Sequence, residues 1–160
     1  MKKLVATYFH SLLGGLIATL ILAHPQAQVV GAPDRGVMAS SVTLGIFFGI
    51  LFAGISVVAA IFARIGIWGT ARTFRPKNET TRKWLAFVWG CGAMAGALLL
   101  TPFGENPLDT AGFVAAWLVI AGFGAMAAEE PFITRASMKI MGSGTLVSVL
   151  AGGGALALTA

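Results

Sequence analysis

An all-α, polytopic transmembrane helix bundle is the fold class this sequence predicts, and three observations predict it. Five long stretches lack Asp, Glu, Lys and Arg altogether. The chain is 57% hydrophobic and only 11% charged, where soluble domains carry about 25% charged residues. The basic residues collect on alternate segments between the apolar stretches. With so few polar groups to cover a wet surface, the apolar surface must face lipid. Backbone groups in hydrocarbon must then be satisfied within each segment, which means helices. One integral membrane domain over residues 1–160 is expected.

The first span, residues 4–23, follows Lys2 and Lys3. That pattern also reads as a secretory signal peptide. Its apolar run is longer than the usual core of about 7–15 residues, and Pro25 sits three residues before the best cleavage point, so retention is expected. Cleavage would leave four spans. The second span is 37–63, the third 84–101, the fourth 111–128 and the fifth 140–160, each about the ~20 residues a bilayer needs.

The connecting segments orient the chain. Residues 64–83 hold Arg64, Arg72, Arg75, Lys77, Arg82 and Lys83 against Glu79 alone. Residues 102–110 hold no base and two acids, Glu105 and Asp109. Arg135 and Lys139 precede the fifth span, and Arg35 lies between the first two. With the N-terminus inside and the C-terminus outside, every base but Arg35 falls in the cytoplasm, as the positive-inside rule requires. A bacterial inner (cytoplasmic) membrane is the expected location. The net charge of +5 therefore sets topology, and nucleic acid is not an expected partner.

Arg64, Trp68 and Arg72 recur every four residues, which predicts that the second helix runs on past the bilayer with Trp68 at headgroup level. Pro76 stops it, and Asn78 or Thr80 caps the next helix. Together Arg64, Trp68, Arg72, Arg75, Lys77, Arg82 and Lys83 form a candidate docking surface for anionic lipid headgroups or an acidic partner. Gly45 and Gly49, and Gly92 and Gly96, stand at GxxxG spacing and predict close helix packing within the chain or in a homo- or hetero-oligomer.

Chemistry is sparse. His10 and His24 are separated by about 21 Å of helix and cannot clamp one haem, so His10 reads as a hydrogen-bonded polar residue. Cys91 has no activating neighbour in sequence and reads as packing. Glu129 and Glu130, before Pro131, are a candidate ion site, with Arg135 and Lys139 as expected neutralising partners. No catalytic dyad, metal set or cofactor motif is visible, so a non-enzymatic protein without a cofactor is expected.

Residues 37–101 comprise an apolar helix with GxxxG, a basic turn and a second Gly/Ala-rich helix. This unit resembles the helical-hairpin pilin and membrane subunits of bacterial type IV secretion (conjugation) systems. The chain adds further spans to that hairpin, so the resemblance implies a non-catalytic membrane-platform subunit of a secretion or conjugation assembly. A phage-type holin or self-assembling pore, and a small-solute or ion transporter, are the alternatives.

Overall fold

The computed structural model describes residues 1–29, 37–101 and 111–159. Its described residues form a bundle of five helices, α1 Lys2–Val29, α2 Val37–Phe74, α3 Glu79–Leu99, α4 Ala111–Ala127 and α5 Arg135–Thr159. The expected all-helical bundle is thus observed. Three of the helices are long and apolar enough to cross a membrane: Lys2–Pro25, Ser41–Phe74 and Arg135–Thr159. The α4 helix is apolar but shorter, with 17 residues, and α3 starts among Glu79, Arg82 and Lys83. Arg35, Glu105 and Asp109, on which the expected orientation partly rests, lie outside the described residues.

Local chemistry sets the helix ends. The α2 helix has 38 residues, roughly 57 Å at 1.5 Å per residue, so it outruns a hydrocarbon layer of about 30 Å. It ends at Phe74, where Arg75 turns left-handed (φ 43°) ahead of Pro76. Asn78 caps α3, its side-chain oxygen accepting from the Thr80 amide at 2.9 Å. Both expectations hold. Two other boundaries differ from the sequence reading. The first helix continues through Pro25 to Val29. The last begins five residues before Ile140, because Thr134 and Ser137 cap one another: the Thr134 amide donates to Ser137 Oγ (2.9 Å) and the Ser137 amide to Thr134 Oγ1 (3.2 Å).

The centre of the bundle is α4. It touches all four other helices, and 11 of its 17 residues are buried. A helix apolar all round belongs inside. Trp117 is its anchor. The indole is fully buried, stacks on Phe52 with centroids 5.6 Å apart, and donates to Thr19 Oγ1 at 2.7 Å. A Thr19→Val change strands that N–H in the core. The expected loss is about 1 kcal/mol in a detergent unfolding titration, and no measurable loss would mean the indole finds another acceptor.

Glycines let helices approach, only partly where the spacing pointed. A Cβ on Gly90 would lie 2.4 Å from the Ala121 carbonyl oxygen, and one on Gly124 would lie 2.1 Å from Ser11 Oγ. Trp117 fills the space over Gly15, and Trp89 the space over Gly66. Of the four GxxxG glycines, Gly45 and Gly49 do face α1, with Leu16 Cδ2 3.1 Å from a Gly49 Cβ. Gly92 and Gly96 face open space, with nothing within 4 Å. Within the chain, packing at that second pair is therefore not observed. Gly90, two residues earlier, makes the close contact with α4 instead, because a two-residue offset turns a side chain by about 200° around the helix.

Candidate functional site

Helix α4 stops short of Pro131. The amides of Ala128, Glu129 and Glu130 bond back to Gly124, Met126 and Ala127, each at 3.1 Å, and Ile133 takes a left-handed φ of 54°. This turn pushes Glu129 under the end of the bundle, where its side chain is only 2% exposed. Three helices each send it one base. Lys3 of α1 donates to Oε2 at 2.7 Å, Arg64 of α2 to Oε1 at 2.5 Å, and Arg82 of α3 approaches Oε2 at 3.2 Å. Arg64 also donates to Thr7 Oγ1 (2.7 Å) and to the Ala125 carbonyl (3.1 Å), while Thr7 Oγ1 donates to the Lys3 carbonyl. Beside this cage Lys83 bridges Glu79, at 2.8 Å, and Glu130. Every acid among the described residues is thus engaged by a base.

The cage outweighs desolvation. Burial alone would push the Glu129 carboxyl up, but the hydrogen bonds from Lys3 and Arg64 and their charges hold it below the usual glutamate value. Because the folded value is the lower one, the stabilisation is complete above the unfolded value near 4.5 and disappears as pH falls through the folded value. Thermal unfolding in detergent should therefore be flat from about pH 7 to 5 and decline below about pH 4. Glu129→Gln should flatten that decline. An unchanged acid limb in the variant would assign it to other groups.

The predicted basic cluster is split. Arg64, Arg82 and Lys83 turn toward the glutamates, whereas Trp68, Arg72, Arg75 and Lys77 remain at the surface. Four residues of α-helix turn about 400°, so Arg72 sits about 80° around α2 from Arg64; one faces the bundle and the other leaves it. Arg72 instead lies 5.4 Å over the Trp68 ring. The pairing expected of Glu129 and Glu130 with Arg135 and Lys139 is corrected. Both bases are exposed on α5, which leaves the turn on its own course, and the partners come from α1, α2 and α3. A carboxylate ringed by three cations has no room in its field for another cation, which argues against Glu129 as an ion site.

One feature escaped the sequence reading. Thr7, Ser11, Gly15 and Thr19 recur every four residues along α1 and form its inward stripe, with Lys3 one turn before them at the open end of the bundle; the three hydroxyl residues are nearly inaccessible. Thr7, Ser11 and Ser56 line a small cavity of about 10 Å³ next to Arg64, room for about one water. The signal was the hydroxyls at helical spacing in an apolar span. His10 is buried, with Nδ1 2.7 Å from the Ala6 carbonyl and its ring edge-on to Phe9 and Phe132. Its Nε2 has no hydrogen-bond partner. Cys91 packs its sulfur over Gly122. Among the described residues, no group of three or more His, Cys, Asp or Glu could hold a metal.

Comparison with protein families, with curated proteins and with solved structures gives no match.

Proposed function

We propose that the chain is a non-catalytic integral subunit of a bacterial inner-membrane assembly, with secretion or conjugation machinery as the setting. Five membrane passes, N-terminus inside and C-terminus outside, go with this reading. The observation that carries it is the cage: its carboxylate is consumed in tying α1, α2 and α3 to the end of α4, a structural job that leaves Glu129 itself unavailable for chemistry. The same arrangement gathers Lys3, Arg64, Arg82 and Lys83 at one end of the bundle, and the positive-inside rule puts such an end in the cytoplasm. On the far flank, α5 leaves Gly142, Gly153 and Gly154 open and Leu146 and Leu150 exposed, a surface suited to a helix of another membrane protein.

Affinity purification in a mild detergent, with native mass and identification of co-purifying chains, tests the proposal. A discrete complex with other envelope proteins supports it, and its loss in Gly153→Leu would locate the contact on α5. A homo-oligomer alone would overturn it. The cavity beside Arg64, with Thr7, Ser11 and Ser56 in its lining, favours a second reading, transport of a small ion; that reading requires flux in proteoliposomes that changes in Ser11→Ala or Ser56→Ala. Leakage of host cells on expression would instead point to the pore-forming alternative.

A further inference from the structure

A groove of about 540 Å³ lies along the exposed flank between α2 and α3, with Phe62, Ile65, Gly66, Trp89, Gly92 and Gly96 in its lining. The lining is almost wholly apolar. Trp89 is fixed there from both sides, since its ring fills the space over Gly66 and its Nε1–H donates to Thr70 Oγ1 at 3.0 Å. Gly92 and Gly96 keep the groove open, because no atom lies within 4 Å of either missing Cβ.

The groove has a basic mouth. Seven residues separate Ile65 from Arg72, which is two helical turns: about 10 Å along the axis and only about 20° around it. Gly69, between them, is also open. Arg72 therefore stands directly beyond the Ile65 wall, exposed and held over Trp68, with Arg75 and Lys77 following. The described carboxylates are engaged by Lys3, Arg64, Arg82 and Lys83, so these outer bases keep their charge for an external anion.

We propose that this groove binds one anionic phospholipid, its acyl chain against Trp89, Gly92 and Gly96 and its phosphate on Arg72. Charge selects the occupant. A second copy inserted in the same orientation would bring its own basic end, on a chain of net charge +5, against Arg72; an anionic headgroup neutralises that end, and the chain it carries fills an apolar channel. The proposal rests on the membrane placement of the bundle and not on the subunit role.

The test titrates the full chain, purified in mild detergent, with phosphatidylglycerol and separately with phosphatidylcholine of the same acyl chains, read by native mass spectrometry. One retained phosphatidylglycerol is expected, bound roughly fivefold more tightly than phosphatidylcholine, the gain that one base near a headgroup supplies. Arg72→Gln should reduce phosphatidylglycerol to the phosphatidylcholine level. Gly92→Leu with Gly96→Leu should displace both lipids while circular dichroism stays helical. Should the glycine variant misfold, Arg72→Gln still decides, because Arg72 is exposed and outside the bundle's packing. Equal retention of the two lipids by the unaltered chain, an undiminished preference in Arg72→Gln, or a lipid-free homodimer broken by the glycine change would each overturn the proposal. A chain that stays dispersed without detergent would instead remove the membrane placement itself.

Discussion

Glu129→Gln is expected to lower the unfolding free energy by about 3 kcal/mol, read by helix loss in a sodium dodecyl sulfate titration. Removing one partner from a buried ion pair costs about 3–5 kcal/mol, because the charge left behind has lost its compensation. The lower end applies here. Lys3 and Arg82 have side chains 55% and 45% exposed and can swing into solvent, whereas Arg64, at 14%, is left among Thr7, Ala125 and the end of α4. The double change Glu129→Leu with Arg64→Met should recover most of the loss, since replacing both members of a buried pair with apolar groups of similar size is close to neutral. A loss below about 0.5 kcal/mol for Glu129→Gln would class the cage with ordinary surface pairs.

Gly90→Ala and Gly92→Ala, two residues apart on α3, are expected to change stability in opposite directions. At Gly90 the new methyl would sit 2.4 Å from the Ala121 carbonyl oxygen and 2.8 Å from the Gly122 Cα, both backbone atoms that cannot rotate away. Helices α3 and α4 must separate, and overpacking of this kind costs about 1–3 kcal/mol. At Gly92 nothing lies within 4 Å, so the substitution keeps only the helix-propensity advantage of Ala over Gly, up to about 1 kcal/mol. The same titration reads both. Equal effects of the two substitutions would contradict the helix rotation that directs Gly90 into the bundle and Gly92 out of it.

These residues also show what a linear reading can and cannot reach. The stop at Phe74 and the cap at Asn78 were legible, because a proline and an Asx cap act on backbone within a few residues. The continuation of α2 past Arg64 was legible from the four-residue spacing of Arg64, Trp68 and Arg72. That same spacing did not reveal that Arg64 turns inward while Arg72 turns out. The side chains drift around the helix, and which flank is inside depends on where α1 and α4 lie. The GxxxG pattern failed similarly for Gly92 and Gly96: it marks a smooth helix surface without saying what meets it. Glu129 and Glu130 stood out as acids at the end of an apolar helix. Their partners Lys3, Arg64, Arg82 and Lys83 are 126 to 47 positions away in the chain, and the nearer Arg135 and Lys139 were the wrong bases.

By itself the sequence determined the helical class, the places where polar residues interrupt apolar ones, and the collection of bases on alternate segments. Those properties follow from solvation and hydrogen bonding along the chain, and each is local. Only the tertiary structure decided that α4 is central, that Gly90 and Gly124 are the points of close approach, and that one carboxylate gathers bases from three helices. Such choices depend on how helices rotate about their axes and on which neighbours they meet. An apolar helix with small residues on several faces leaves that rotation to its partners.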